Sequence, residues 1–277
     1  MRRSETDEAR PPVSCYICPI DEETRIEATV QAALRVAREV VVVDSGSTDR
    51  TVVMARAAGA RVIERKRSDP RDRTRAGEDA CRRDWLLYLD SGEIVTEELA
   101  REMHDLFHAG EPSADAFRLP VHCVDPSGRI WKNSRPRRSV KLYDRRKVRL
   151  PVHGAEDQFH VPQGLRVRRL RGPILDHAFE DIGHLSRKQR DHAIRQARVV
   201  DPNPPWLITL KVYLGLPCFF LCSYVVRGRW LEGRYGFLFA VVASYYRWYR
   251  YAILYRRRLR RLRKQRTGTS KSAAARN

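Results

Sequence analysis

Val40-Val41-Val42-Val43-Asp44-Ser45-Gly46-Ser47-Thr48-Asp49-Arg50-Thr51 changes character at a single residue, Asp44. Before it, an unbroken β-branched run predicts a strand buried on both faces, as in a parallel sheet. After it, a loop rich in capping residues leads into a helix that should end near Gly59. The same alternation extends outward on both sides. Val13 to Cys18 reads as a short apolar strand, and Thr24 to Arg38 shows helical spacing through Ile26, Val30, Ala33, Leu34 and Ala37. Ala60 to Glu64 and Trp85 to Leu89 read as strands, the latter ending at Asp90. Thr96 then caps a helix with Glu97 and Glu98 in its favourable first turn. Strands alternating with helices at this spacing predict an α/β fold with a parallel sheet. Such sheets bind ligands at the carboxyl ends of their strands, where Asp44 and Asp90 both stand.

Past residue 110 the pattern loosens. Ala116 to Val121, Ser139 to Tyr143 and Leu165 to Leu170 suggest further strands of a mixed sheet, and Asp181 to Val200 a polar helix. Asp201-Pro202-Asn203-Pro204-Pro205 reads as a break. The resulting division is a disordered N-terminus over 1–12, a nucleotide-binding domain over 13–200, a helical region over 201–266 and a disordered tail over 267–277. The six cysteines do not form a disulfide framework. Cys15 and Cys18 lie in a strand-like run where positions three apart face opposite sides, unlike a redox C-x-x-C at a helix start.

Four motifs, in order, resemble the family 2 glycosyltransferases, especially those that extend the lipopolysaccharide core of Gram-negative bacteria. They are the acidic turn Asp21-Glu22-Glu23, the Val40–Thr51 stretch, the segment Asp84 to Glu93, and Leu231-Glu232-Gly233-Arg234-Tyr235-Gly236-Phe237. The resemblance spans roughly residues 13 to 255 and implies a GT-A-like mixed sheet flanked by helices. It also implies inverting transfer of a sugar from a nucleotide donor, uridine-linked by preference, to a lipid-linked or lipopolysaccharide acceptor. Within it, Asp44 would accept the imide N–H of uracil, Pro19 and Glu22 would border the donor, and Asp90 would reach the ribose or a metal. Arg73 and Arg75 would meet the diphosphate as charge-assisted donors, with solvated arginines as the plain alternative. Asp49 reads chiefly as a helix cap. The implied cofactor is Mg²⁺ or Mn²⁺, with Asp90, Glu93 and His177 as candidate ligands; a hydrogen-bonded structural role is the alternative for His177.

The chain departs from the family pattern in places. Gly92 stands where the metal motif D-x-D has its second Asp, Arg75 where an Asn is usual, and Gly77 where an Ala is common. Gly92→Asp would restore a hard oxygen ligand unless the glycine is needed for a positive φ. The V-H-E segment near the acceptor reads Val152-His153-Gly154-Ala155-Glu156-Asp157, which leaves Glu156 or Asp157 as general base. These departures support a second reading, a weakened relative that binds nucleotide or a partner without turnover.

Charge is unevenly spread. Of the net +20, residues from Arg227 onward carry +14, through 15 Lys/Arg against Glu232 alone, leaving +6 for the first 226. Arginines mixed with Tyr245, Tyr246, Trp248, Tyr249 and Tyr251 suit the headgroup level of a membrane. The polybasic run Arg256 to Arg266 suits anionic lipid rather than nucleic acid. Val212 to Val226 makes roughly 22 Å of helix, short of the 30 Å hydrocarbon core. The sequence therefore predicts a peripheral or monotopic protein on the cytoplasmic face of the inner membrane.

Overall fold

The computed structural model describes residues 10–65, 70–132, 136–149, 163–177, 179–197 and 203–274. The chain divides into two units, Met1–Ala178 and Phe179–Asn277.

The first unit is built on a nine-stranded sheet in the order β3-β2-β1-β4-β7-β6-β9-β5, with β8 paired to β6. Its strands are β1 (Val13–Ile17), β2 (Glu39–Asp44), β3 (Arg61–Glu64), β4 (Trp85–Leu89), β5 (Glu93–Val95), β6 (Ala116–Cys123), β7 (Arg137–Asp144), β8 (Val167–Arg169) and β9 (Ile174–Asp176). β3, β2, β1 and β4 run parallel, and β7 lies antiparallel to β4. The amino end of β7 therefore arrives at the rim where β1, β2 and β4 end. Helices α1 (Ile26–Ala33), α2 (Thr51–Ala57), α3 (Pro70–Ala80) and α4 (Glu97–His108) flank the sheet.

Alternation along the strands builds two cores. Val13, Cys15, Ile17, Val40, Val42, Leu87 and Leu89 pack with Ile26 and Val30 of α1, Ala55 of α2 and Met103 of α4. Tyr16, Val41, Val43, Leu86 and Tyr143 face the other way, towards Ala76 and Ala80 of α3. Apolar side chains on both faces explain why β1 and β2 read as continuous runs. Cys15 joins the first core and Cys18 packs against the second, as their spacing requires. Thr96 caps α4 through a bond from Leu99 N–H at 3.3 Å. β5 and β9 escape a periodicity reading because three residues each are too few to show one.

The second unit contains α5 (Ile182–Gln196), α6 (Pro205–Tyr213), α7 (Gly215–Leu221), a π-helical turn (Cys222–Val226), a 3₁₀ turn (Arg229–Glu232) and α8 (Gly233–Ala274). The Pro-rich stretch before α6 is not the boundary between units. α5 belongs with the later helices, burying Leu185, Ala193 and Ala197, and Arg250 of α8 donates to Gln196 Oε1 at 3.0 Å. Trp248 Nε1 donates to Val212 O at 2.7 Å, which ties α8 to the end of α6. α8 continues to Ala274, past residue 267 where the sequence reading begins a disordered tail. Helix-forming Arg, Lys and Gln extend it across Gly268. Residues 1–9 of the proposed disordered N-terminus lie outside the described residues.

No single helix among the described residues is long and apolar enough to cross a membrane. Pro205–Tyr213 and Gly215–Val226 pass that test only together, bent by 73°. Large apolar side chains stand exposed along this pair, including Trp206, Tyr213, Leu214, Leu221 and Val226, the last 79% exposed.

α3 approaches β1 unusually closely. A Cβ on Gly77 would lie 2.6 Å from Cδ2 of the fully buried Tyr16 ring. Gly→Ala inside a helix ordinarily stabilises by up to about 1 kcal/mol. Here the sign reverses: overpacking against a fixed ring makes Gly77→Ala less stable by about 1–3 kcal/mol. Urea unfolding of the two proteins checks this, and a higher midpoint for the variant refutes it.

Candidate functional site

The strand-end loops of β1 and β2 are bonded to each other. Asp21 holds a φ of 52°. Its backbone N–H donates to Ser47 Oγ at 3.1 Å, and its carboxylate accepts Thr48 N–H at 2.7 Å. Glu22 N–H donates to Thr51 Oγ1 at 2.7 Å, Glu23 N–H to Asp49 Oδ2 at 3.1 Å, and Arg50 N–H to Glu23 Oε2 at 2.9 Å. Asp49 also accepts Thr51 N–H at 2.9 Å; the N-cap of α2 is Arg50, one residue beyond the position the sequence suggests, and the helix has no side-chain cap bond. Burial works against the Asp49 charge, but the Thr51 hydroxyl and backbone bonds hold its carboxyl below the usual range.

Asp44 closes β2 at 2% exposure. Its carboxylate accepts Gly46 N–H at 2.8 Å and Ser47 N–H at 3.2 Å, with Gly46 at φ 95°. It thus braces the loop and keeps part of the roughly four-bond acceptor capacity of a carboxylate. Arg73 of α3 donates to Ser45 Oγ at 2.5 Å. Arg75 donates to Glu78 Oε2 at 2.6 Å, and Glu78 Oε1 accepts the Tyr143 hydroxyl at 2.7 Å, itself 2.8 Å from Tyr16 Oη. Arg75 is therefore anchored on a buried carboxylate and two tyrosines. Pro19 is buried directly after β1.

At the end of β4 the charges are paired by β7. Lys141, 3% exposed, donates to Glu93 Oε2 at 2.7 Å and to Asp90 Oδ2 at 3.2 Å, with its ammonium 4.7 Å from the Tyr88 ring centroid. Tyr88 Oη donates to Asp90 Oδ1 at 2.7 Å. Arg137 reaches Glu93 at 3.4 Å and Asp90 at 3.9 Å. Desolvation opposes the Asp90 charge, but the Lys141 ammonium and the Tyr88 hydroxyl hold its carboxyl well below the usual range. Burial pushes Glu93 up to about 7 despite Lys141, with Asp90 adding to the rise. Lys141 itself is raised, because Asp90 and Glu93 outweigh its burial.

Gly92 turns the chain between these carboxylates at φ 92°. A Cβ there would lie 2.7 Å from Arg25 Nη1 and 3.2 Å from His177 O. Arg25 is held in place by Glu22 and by a 2.7 Å bond from its Nη1 to His177 O. Its guanidinium thus occupies the space a carboxylate at position 92 would need.

These donors do not fit a divalent cation. Mg²⁺ and Mn²⁺ require several hard oxygen ligands. Position 92 offers none, Glu93 is fully buried against Lys141, and Asp90 has an ammonium 3.2 Å from Oδ2. Among the described residues no three His, Cys, Asp or Glu side chains gather to hold a metal. The set Asp90, Glu93 and His177 read from the sequence is thus not assembled. His177 lends its backbone instead, donating N–H to Gly92 O at 3.0 Å and accepting from Arg25.

The sequence model of glycosyl transferase family 2 matches residues 14–167, a range that takes in the sheet from β1 to β7 and its strand-end loops. The chain belongs to that family. It is 35% identical over 95 residues to a glycosyltransferase of Rickettsia bellii, covering 34% of this chain and 32% of that protein. The family 2 chain thus spans about a third of the length of the Rickettsia relative. Over 258 residues it is 26% identical to the lipopolysaccharide core biosynthesis glycosyltransferase LpsC of Rhizobium meliloti, covering 89% of this chain and 93% of that protein. Among solved structures it resembles glucosyl-3-phosphoglycerate synthase from Mycobacterium tuberculosis in complex with Mn²⁺, UDP and glucosyl-3-phosphoglycerate. That likeness has a TM-score of 0.32 at 22% identity and covers 44% of this chain and 48% of that one.

Of the family 2 site residues read from the sequence, Glu22, Asp44 and Asp90 stand at the strand ends, and Arg73 reaches the β2 end from α3. Glu156 and Asp157 lie outside the described residues. Sequence reasoning missed Arg25, Arg137 and Lys141. The signal for Lys141 was a lone charge inside the apolar run Val140-Lys141-Leu142-Tyr143.

Restoring the family carboxylate at position 92 therefore does not create a cation site. Gly92→Asp strains a positive-φ residue, at about 1 kcal/mol or more, and displaces Arg25. The expected outcome is a lower thermal midpoint that added Mn²⁺ does not recover. Recovery by Mn²⁺ would show that the loop accommodates the aspartate.

Proposed function

We propose that this protein transfers a sugar, with inversion, from a nucleotide-sugar donor to a lipid-linked or lipopolysaccharide acceptor at an anionic membrane surface. The observation that carries the donor half is the grouping of Asp44, Arg73 and Asp90 at the strand ends of a family 2 domain. Asp44 offers its remaining acceptor capacity to the base, uracil by preference. Asp90, half exposed, offers an acceptor to the ribose hydroxyls, and Arg73 meets the diphosphate. The protein's contribution to leaving-group departure is electrostatic, through fixed cations aimed at developing phosphate charge. Glu156 or Asp157 takes the proton of the acceptor hydroxyl, on the strength of the sequence pattern alone. The acceptor class rests on the near full-length similarity to LpsC.

A second reading, nucleotide binding without turnover, draws on Gly92 and on the ion-paired state of Asp90 and Glu93. A panel of nucleotide sugars separates the two, because a transferase slowly hydrolyses its own donor while a binding relative leaves it intact. Within that panel, Asp44→Ala should weaken donor binding by about 1.5–3 kcal/mol, the range for a hydrogen bond to a charged group. Calorimetry with a uridine diphosphate ligand reads it, and unchanged affinity in a folded variant removes Asp44 from the donor site.

The membrane half is supported by the exposed apolar bent pair together with the basic end of α8. The apolar face would enter one leaflet while Arg256, Arg258 and Arg260 meet anionic headgroups. Each such charge contributes about 1 kcal/mol near an anionic surface. Changing these three arginines to Gln in the full chain should therefore reduce sedimentation with phosphatidylglycerol vesicles by two orders of magnitude or so in partition coefficient. Equal sedimentation of variant and parent would place the attachment elsewhere.

A further inference from the structure

The family 2 reading leaves open what neutralises the departing diphosphate. We infer that in this protein the donor diphosphate is met by side-chain cations, Arg137 of β7 together with Arg73 of α3, and that donor binding needs no divalent cation. The inference rests on the nucleotide-donor reading proposed above and adds the identity of the counter-charge.

The sheet topology brings these groups to one rim. β7 runs antiparallel to β4, so Arg137 at its amino end comes out beyond Asp90 at the carboxyl end of β4. β1 lies between β2 and β4 with all three parallel, so the strand ends that carry Asp44 and Asp90 are one strand apart. Arg73 in turn reaches Ser45 at the end of β2. A nucleoside diphosphate extending from the Asp44 loop towards Asp90 therefore passes Arg73 and arrives at Arg137.

Three features shape that site for a phosphate and against a metal ion. First, its own charges already balance: Asp90 and Glu93 face Lys141 and Arg137. A divalent cation on Asp90 would sit beside an ammonium 3.2 Å from Oδ2. Second, Arg25 fills the space of the missing carboxylate at position 92, so a further cation lies where a ligand would have to be. Third, Arg137 is loosely held. Its side chain is 47% exposed, and its contacts to Glu93 and Asp90 are 3.4 and 3.9 Å, longer than close charge-assisted bonds. A guanidinium in that state can turn a bidentate edge to phosphate oxygens, the geometry in which Arg exceeds Lys. Lys141, by contrast, is buried and committed to Asp90 and Glu93. It cancels their repulsion of the incoming phosphates without touching them.

The test is calorimetric binding of UDP, GDP, dTDP and CDP to the full chain, in EDTA and in Mn²⁺, for the parent and for Arg137→Gln and Arg73→Gln. The expected result is one preferred nucleotide bound by the parent with affinities within twofold in the two buffers. Each variant should bind it about tenfold more weakly in both buffers, the loss of one charge-assisted hydrogen bond. Arg137 is half exposed, so its replacement should leave the fold intact, and circular dichroism verifies that. As a second measurement, paramagnetic resonance of Mn²⁺ titrated into the nucleotide-free protein should show no tight site. Nucleotide binding that appears only with Mn²⁺, or a tight Mn²⁺ site abolished by Asp90→Asn, overturns the inference and leaves the donor reading standing. Undiminished binding by Arg137→Gln in EDTA overturns it as well. Failure of all four nucleotides to bind in either buffer removes the donor reading and the inference with it.

Discussion

The ammonium of Lys141, buried between Asp90 and Glu93, is the interaction on which the arrangement of the strand ends depends. Two carboxylates three residues apart at a strand end would repel each other and water would be drawn in to separate them. A cation from the neighbouring antiparallel strand allows both to stay close, and one to stay dry. Breaking such a buried pair from one side typically costs 3–5 kcal/mol, because the remaining charge is stranded. With the pair intact, Glu93 accepts the Asp90 N–H at 2.9 Å and fixes the turn between them. That turn puts Gly92 at φ 92°, which admits the Arg25 guanidinium and, through it, the backbone of His177. One buried charge thus sets the course of the chain from β4 into β5 and of β9 beside it.

Tyr88, which touches both Lys141 and Asp90, packs 5.1 Å from the Tyr16 ring, and from Tyr16 a second polar thread runs on the same face of the sheet. Tyr16, Tyr143, Glu78 and Arg75 form a continuous run of hydrogen bonds from β1 to the middle of α3. Burial raises both phenols well above their usual range, so they stay protonated and donate. Glu78 accepts at both oxygens, which satisfies the requirement that a buried carboxylate be paired. The arrangement holds an arginine at the front of the domain by a support reaching deep into its core.

How much of this was legible follows from where the signal lay. β1, β2 and β4 announced themselves as apolar runs, and Asp44 and Asp90 as the acids ending two of them. A residue whose meaning is set by its own neighbours in sequence can be read from one chain. Lys141 could not be, because its partners stand 51 and 48 positions away and only the antiparallel pairing of β7 with β4 joins them. α3 was passed over because Pro-Arg-Asp-Arg-Thr-Arg shows no apolar period, although one side of the helix covers the sheet. The break placed at residues 201–205 reflects real proline chemistry, but a proline-rich loop joins helices within a unit as readily as it separates units. The glycine at position 92 was noticed as a missing carboxylate; that an arginine from 67 positions earlier fills the space is a fact of three dimensions.

The contact between Gly77 and Tyr16 has a consequence for how this sequence can drift. Residue 77 can grow only after residue 16 has shrunk. Residue 16 cannot shrink to an apolar side chain without taking a hydroxyl from Tyr143, and Tyr143 in turn supplies Glu78. Positions 16, 77, 78 and 143 are therefore coupled, and a change at one of them constrains what the other three can be. A lineage that carries the glycine should carry the tyrosine with it, and horizontal exchange of α3 alone between relatives would yield chains that fold poorly.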